Sequence, residues 1–290
     1  FMYYDEDLVL ELRLNILNKI VDKFVIVESR YTHSGESRSL LFDINKYKQF
    51  KDQILYIVLD KEPNDLDIIN ENDSYETKNS KYIINALKRE NFQRNGISKG
   101  LDDAAKDDLI MISDVDEIPN LNNLKIEETK NQIILFKQHF YYYKFNLKLD
   151  DMYWFGTKAC KFKNFKSPQW LRNVKDKKYP FWRPDVFFSN KKYSNIMFVE
   201  NGGWHFSNMK TPSEIEKKMR TYLHHREYDI KPLGTEKIKE IIKSKKSIYN
   251  LRADMKTEKF DGTQNLKTTD GSELPDFIKE NKDKYSNWID

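Results

Sequence analysis

Three short apolar runs in the first half of the chain end on acidic side chains, and this pattern constrains the fold more than any other feature. "KFVIVES" (23–29) ends near Glu28, "QILYIVLD" (53–60) ends on Asp60, and "DLIMISDVD" (108–116) ends on an Asp-x-Asp. Continuous apolar runs separated by a helical pattern are typical of parallel strands covered on both faces. Because ligands bind beyond the carboxyl ends of such strands, the pattern predicts an α/β fold with acids at its binding edge.

The remaining elements are predicted from periodicity and helix-start chemistry. Residues 8–21 and 80–101 are predicted to be helices, and the polar segment 61–79 a loop. A helix over 211–229 begins with Thr211, Pro212 and Glu214, a typical capping sequence. The aromatic-rich segments 132–146, 153–165 and 197–207 alternate like antiparallel strands, the last broken at glycines 202–203. The sequence thus predicts a mostly parallel central sheet flanked by helices, with a smaller antiparallel portion.

Charge and composition argue against several classes of protein. The net charge is +4, and acids interleave with the basic residues, which does not indicate a nucleic-acid partner. No apolar run is long enough to span a membrane, and the first residues show no signal-peptide pattern. The single cysteine, Cys160, favours a reducing compartment, so we expect a cytoplasmic protein or a soluble luminal fragment. The oligomeric state stays open.

The Asp-x-Asp formed by Asp114 and Asp116 is the strongest candidate for a functional site. Two carboxylates just beyond a buried strand can converge on one Mg²⁺ or Mn²⁺ ion, which keeps positions for phosphate oxygens. A solvated turn is the alternative, but the preceding strand and the following Pro119 argue against it. His205 in "GGWHFS" could join the carboxylates as a metal ligand, or it could be a hydrogen-bonded structural histidine. Arg94 in "NFQRNG" could bind a phosphate, brace the acids, or lie on a helix surface.

These motifs together resemble glycosyltransferase family 17, the β-1,4-mannosyl-glycoprotein 4-β-N-acetylglucosaminyltransferase family. The resemblance rests on motifs in family order, namely "ELRLNIL", "VDKFVIVESRYTHSGESRSL", "FQRNGI", "DDLIMISDVDEIP", "FYYYKF", "WFGTK", "GGWHFS", "YLHHREYD" and "FDGT". It implies a GT-A-type nucleotide-sugar fold, a UDP-sugar donor, typically UDP-N-acetylglucosamine, a divalent metal and inversion at the anomeric carbon. The acceptor would be a glycan or glycoconjugate hydroxyl.

The resemblance assigns roles to particular residues. Asp114, Asp116 and His205 match the metal and diphosphate motifs. Glu28 matches the acid after the first strand, near the nucleotide, and Arg94 matches the arginine of the preceding helix motif. A catalytic domain over 1–229 and a helical C-terminal extension over 230–290 are expected.

The catalytic base and the aromatic binding residues are less well defined. Glu227 is the preferred base, with Asp151 and Asp185 as alternatives, because inversion requires a carboxylate across the sugar from the metal. Trp154 is placed with the donor-binding residues, and it could also line the acceptor cleft, as could Tyr142 and Trp182; core packing is the alternative for all three aromatics.

Two other functions fit parts of the pattern. A metal-dependent phosphohydrolase also places Asp-x-Asp after a strand, but Ile118 stands where such enzymes need a threonine or a similar residue. A carbohydrate-binding protein without turnover would keep the same fold.

Overall fold

The computed structural model describes residues 1–122, 124, 129–130, 132–222, 225–250, 260 and 264–290, apart from the side chain of Asp151. The helices are α1 (Asp7–Leu17), α2 (Tyr75–Asn95), α3 (Pro168–Asn173), α4 (Pro184–Phe187), α5 (Pro212–Thr221), α6 (His225–Ile230), α7 (Thr235–Lys243) and α8 (Asp276–Glu280). The strands are β1 (Phe24–Ser29), β2 (Ile54–Leu59), β3 (Leu109–Ile112), β4 (Glu117–Pro119), β5 (Ile133–Phe136), β6 (Gln138–Tyr142), β7 (Leu147–Trp154), β8 (Lys158–Lys161), β9 (Ile196–Val199), β10 (Gly203–Ser207) and β11 (Lys267–Thr268).

The strands form three sheets in the described part of the chain. β1 and β2 pair in parallel, a second sheet has the order β11-β7-β6-β10-β4, and a third has the order β3-β8-β5-β9. Parallel pairing joins β1 to β2, β6 to β10 and β5 to β9, whereas the other five pairings are antiparallel. The fold is therefore mixed α/β, and the predicted GT-A-type fold with a mostly parallel central sheet is not confirmed.

The strand that precedes the Asp-x-Asp shows why the sheet prediction failed. β3 lies where the apolar run predicted it, but it pairs antiparallel with β8, with Ile110 opposite Cys160. A short buried run has the same apolar composition whether its neighbour runs parallel or antiparallel. The position of β3 along the chain was predicted correctly, but the direction of its pairing was not.

The predicted helices are confirmed with shifted ends. α1 ends at Leu17, and α2 already begins at Tyr75 because the Ser74 hydroxyl caps it by accepting a hydrogen bond from the Thr77 amide. The loop prediction was therefore wrong for residues 75–79. The capping box at Thr211 is present, but the helix that it begins ends at Thr221 and a separate α6 follows.

Strand β10 lies in close contact with β4, and this contact positions the candidate site. The break predicted at the two glycines separates β9 from β10. A Cβ atom on Gly203, whose φ is +123°, would lie 2.2 Å from the carbonyl oxygen of Ile118. Glycine thus allows β10 to pair with β4, which places His205 directly opposite Glu117.

The C-terminal part packs on the rest of the molecule. Leu274, Ile278 and Tyr285 belong to the same hydrophobic cluster as residues of α1, and β11 pairs with β7. The predicted boundary at residue 229 stays a prediction, and residues 261–263 of "FDGT" lie outside the described residues. In the portion of the chain that the structure describes, no helix is both long enough and apolar enough to cross a membrane.

Candidate functional site

The turn that carries the Asp-x-Asp is held by Arg13 of α1. The buried Arg13 guanidinium donates hydrogen bonds to the Ser113 hydroxyl at 2.6 Å and to the carbonyl oxygens of Glu117 at 2.8 Å and Asp114 at 3.3 Å. The Asp114 amide in turn donates to the Glu117 carboxylate at 2.7 Å. The backbone between β3 and β4 is thus fixed from inside the protein, which sets the direction of each acidic side chain.

Asp114 is bound by two arginines. One of its oxygens lies 3.1 Å from a guanidinium nitrogen of Arg94, and the other lies 2.8 Å from one of Arg172. Burial alone would raise the pKa of Asp114, but the charges of Arg172 and Arg94 outweigh it and hold this pKa well below its usual range. Asp114 is therefore ionised, and both of its oxygens are engaged.

Glu117 completes this buried cluster of charges. Arg172 donates to both Glu117 oxygens, at 2.7 and 2.8 Å, and the indole nitrogen of Trp154 donates to one of them. A Cβ atom at position 156 would lie 1.9 Å from the Glu117 carboxylate, so Gly156 leaves the space that this side chain occupies. Arg172 also donates to the Gly156 carbonyl at 2.6 Å. The glycine of "WFGTK" thus makes room for the glutamate next to the Asp-x-Asp.

Asp116 has different surroundings. It faces the imidazole of His205, whose Nε2 lies 3.6 Å from Oδ2, beyond the usual hydrogen-bond distance. The His205 ring packs on Phe140 with a centroid separation of 4.3 Å and on Trp154 at 5.0 Å. Burial is the largest effect and raises the pKa of Asp116, but His205 and Lys218 together outweigh it, so the net pKa is lowered. Asp116 and His205 thus form a pair in which the imidazole is fixed by aromatic packing.

A cavity of about 240 Å³, which we call the strand-end cavity, opens beside these acids. It is lined by residues that follow β1, by one face of α2, by α5 and by the acidic turn, including Thr32, His33, Arg38, Glu90, Gln93, Asp114, Asp116 and Lys218. Glu6 also lines it, and burial raises the pKa of Glu6. The site predicted at the carboxyl end of β1 is thus a real concavity.

A second, more open cavity of about 470 Å³ is lined by Arg94 and Arg172, the two arginines that bind Asp114. We call it the Trp154 cavity; its lining includes Trp154, Lys158, Arg172, Lys175 and Asp176. Glu90 lines both cavities. Its carboxylate forms an ion pair with Arg94 at 2.7 Å. Two concavities therefore meet at Glu90.

Glu28 is placed differently from the prediction. It is fully buried and accepts hydrogen bonds from the amides of Leu41 and Phe42 and from the Tyr56 hydroxyl. Its remaining partner is Arg38, at 2.9 Å. Glu28 does not line the strand-end cavity itself, so its contribution there is to hold Arg38, which does. Glu28 was expected near the nucleotide, but in the structure it does not face the cavity.

Two of the three candidate bases, Asp185 and Glu227, line neither cavity. Asp185 lies on α4 in ion pairs with Arg183 and Lys192, which lower its pKa to about 2, and it lines neither cavity. Glu227 lies in the first turn of α6 and also lines neither cavity. The side chain of Asp151 lies outside the described residues.

The other aromatic and arginine predictions are placed as follows. Arg94 is buried and braces Asp114, the second of its predicted roles. Trp154 lines the second cavity, whereas Tyr142 is buried against Phe140 and Trp182 is exposed.

Sequence reasoning missed Arg172 and Glu117. Glu117 stands within "DVDE", so its position was a usable signal. Arg172 comes from the six-residue α3, where nothing in "PQWLRN" distinguishes a buried arginine from a surface one.

Comparison with known proteins supports the motif-based resemblance. The model of glycosyltransferase family 17 matches residues 2–289, which include the acidic turn, β10 and the residues of both cavities. Searches of curated proteins and of solved structures found no match. Since the family match covers nearly the whole chain, the protein belongs to glycosyltransferase family 17.

Proposed function

We propose that the protein is a metal-dependent inverting glycosyltransferase that moves a sugar, N-acetylglucosamine first among the candidates, from a UDP-sugar to a glycan hydroxyl. The observation that carries this proposal is the Asp116–His205 pair beside the strand-end cavity. The family match supports glycosyl transfer in general. The UDP-sugar donor and the inversion are what the resemblance to the family implies, and the metal is also supported by the chemistry of Asp116 and His205.

The strand-end cavity is suited to a nucleotide. It lies beyond the carboxyl end of β1, where α/β proteins bind nucleotides, and the rings of Tyr4 and His33 in its lining could contact a nucleobase. Arg38 and Lys218 supply positive charge in the same lining. A UDP moiety in this cavity would have its diphosphate near the acidic turn.

The residues present fit a divalent cation that is held largely by its substrate. The described residues contain no group of three or more His, Cys, Asp or Glu side chains suited to a metal. Mg²⁺ and Mn²⁺ sites that bind nucleotides often use one or two protein ligands and leave the other positions to phosphate and water. Asp116 and His205 would hold such a cation, whereas the oxygens of Asp114 are already bound by arginines. When bound, the cation would neutralise charge on the leaving diphosphate.

Glu90 is our candidate for the general base. A base for an inverting transfer must reach the acceptor hydroxyl while the donor occupies its own subsite. Glu90 lines both cavities, so an acceptor in the Trp154 cavity and a donor in the strand-end cavity would meet beside it. Glu227, the base favoured from sequence, lines neither.

One experiment tests donor, metal and base together. The protein is incubated with Mn²⁺ and a panel of nucleotide sugars, and nucleotide-sugar binding is measured. Oligosaccharides are then added as acceptors, and transfer of the sugar to them is measured by the UDP that is released. We expect Mn²⁺-dependent binding of a UDP-sugar. Glu90→Gln should keep this binding but lose about 10²- to 10⁴-fold in transfer rate. Glu62→Gln, which alters a similar glutamate–arginine pair away from both cavities, should leave both unchanged.

Three results would contradict parts of the proposal. Equal binding of the nucleotide sugar with and without metal would contradict the metal dependence. Preference for a sugar linked to another nucleotide would contradict the UDP-sugar donor. Full transfer by Glu90→Gln removes the base assignment. Binding without transfer to any acceptor in the wild-type protein favours the non-catalytic alternative.

A further inference from the structure

The segment over residues 175–192, which we call the aromatic loop, forms an excursion fixed at its base. The Lys175 amide donates to the Lys191 carbonyl at 2.8 Å, and the Tyr179 amide donates to the Tyr193 carbonyl at 3.0 Å. The Trp170 indole nitrogen also donates to the Asn190 carbonyl at 2.8 Å. The base of the loop is thus tied to the core, and the side chains beyond it are held on one part of the surface.

Four large aromatic side chains of this loop are exposed. Phe181 and Trp182 are each 69% exposed, Phe187 is 74% exposed, and Phe188 is 91% exposed. The rings of Phe181 and Trp182 contact each other edge to face with centroids 5.5 Å apart. Elsewhere in the part of the chain that the structure describes, Ile68 is 77% exposed, Tyr75 63% and Ile230 62%, and these three residues are far apart in the sequence. A cluster of exposed aromatic rings marks a surface that binds something apolar.

The loop is also strongly basic. It contains six lysines and arginines and two aspartates, so its net charge of +4 equals that of the whole chain. Lys177, Arg183 and Lys192 lie 5.6–5.9 Å from the centre of the Tyr179 ring. One of the aspartates, Asp185, is neutralised by its ion pairs with Arg183 and Lys192. The loop therefore combines exposed aromatic rings with an excess of positive charge, part of which gathers around Tyr179.

We propose that the aromatic loop docks the protein on the surface of an anionic lipid bilayer. Tryptophan and phenylalanine rings insert at the headgroup level, and adjacent lysines and arginines attract anionic lipid headgroups. A neutral glycan would stack on the rings but would gain little from the surrounding cations, and an apolar protein partner would be opposed by them. The combination of both features selects the anionic bilayer.

This docking has a geometric consequence for the Trp154 cavity. Lys175 and Asp176, the first two residues of the aromatic loop, line that cavity together with the preceding Val174. A protein docked through the loop would hold the rim of the cavity beside the membrane. The inference rests on the exposed surface alone and holds whether or not the proposed transfer reaction is correct.

The test is co-sedimentation of the full chain with vesicles of phosphatidylcholine, with and without phosphatidylserine. We expect binding to the phosphatidylserine vesicles that weakens as salt is raised. One variant carries Phe181→Ser, Trp182→Ser, Phe187→Ser and Phe188→Ser, and a second carries Lys177→Glu, Lys178→Glu and Lys191→Glu. Each should weaken binding by about tenfold or more. The changed side chains are all exposed, so unchanged thermal unfolding is expected.

Matched controls change similar residues elsewhere. Ile68→Ser removes an equally exposed apolar side chain, and Lys237→Glu, Lys239→Glu and Lys243→Glu reverse three exposed charges on α7. Both controls should bind vesicles as the wild type does. The proposal is overturned if the wild-type protein does not bind vesicles that contain phosphatidylserine. It is equally overturned if the protein binds vesicles with and without phosphatidylserine to the same extent. It is also overturned if the loop variants lose only glycan binding or only self-association.

Discussion

Asp114 and Asp116 stand two positions apart, yet the structure gives them opposite surroundings. Asp114 has an arginine on each oxygen, whereas Asp116 has a single histidine at 3.6 Å. One residue of separation along the turn points the two carboxylates in different directions, one toward α2 and α3 and the other toward β10. The comparison teaches that an Asp-x-Asp need not act as one chelating unit.

The two acids also depend on different kinds of neighbour. The arginines of Asp114 are largely buried and reach Glu90, Gln169 and Glu117 as well, so a change in one alters several ion pairs. Asp116 depends instead on His205, whose imidazole is held by the rings of Phe140 and Trp154. We therefore expect the Asp114 side to respond to mutation mainly in stability, and the Asp116 side mainly in ligand binding and turnover.

The largest effect is expected on removing Arg172. Arg172→Met would leave the carboxylates of Asp114 and Glu117 without their shared partner, and breaking a buried ion pair in this way costs about 3–5 kcal/mol. Urea unfolding at neutral pH measures the change. Arg220→Met, which removes an exposed i,i+4 pair with Glu216, should cost about 0.5 kcal/mol or less. A cost for Arg172→Met as small as that of the control would refute the structural role of the cluster.

The next effect separates the two aspartates by function. Asp116→Asn should lower transfer by about 10²- to 10³-fold, as for the loss of one electrostatic contact to a transition state. Its free energy of unfolding should change little, since Asn keeps the size of the side chain. Asp114→Asn should instead lower the free energy of unfolding measurably, because it removes the charge between Arg94 and Arg172.

Asp60→Asn is the matched control for this pair. Asp60 also follows a strand, β2, but it forms an exposed pair with Arg30, and neither rate nor stability should change much. If Asp114→Asn and Asp116→Asn gave the same profile in both measurements, the two carboxylates would act as one unit and the comparison would be wrong.

Several features of this site could be predicted from sequence, because they depend on local pattern. The apolar run of β3 ending on acids, the glycine break before His205 and the capping box at Thr211 were all predicted where they occur. Each depends on a few consecutive residues and does not require knowledge of contacts with distant residues. The presence of the Asp-x-Asp at the edge of a cavity follows from the same local logic.

Other features depend on contacts between distant residues and could not be predicted. The arginines that bind Asp114 come from positions 94 and 172, and Arg13 reaches the turn from the first helix. Arginine has the same appearance in sequence whether it is buried in an ion pair or solvated. The direction of strand pairing is equally non-local, which is why the parallel pairing expected for β3 was wrong. Glu28 was misplaced because its partners, at positions 38, 41, 42 and 56, define its role.

The smallest effect is expected in the pH dependence of stability. The arginines hold the folded-state pKa of Asp114 well below the ordinary value of 3.8. The ionised carboxylate therefore stabilises the fold above about pH 4, and this contribution is lost as the pH falls toward the folded-state pKa. Asp114→Asn, which cannot be protonated, should be less stable than wild type at neutral pH and should lose less stability on acidification.

Urea unfolding of both proteins at neutral pH and at about pH 3 measures the difference. Asp60→Asn should follow the wild-type pH dependence, because the exposed pair with Arg30 contributes little at either pH. If the Asp114→Asn and wild-type curves ran parallel down to acid pH, the ion pairs of Asp114 would not contribute to the stability of the fold. Asp114 would then be as available as Asp116, and its place among the metal ligands would have to be restored.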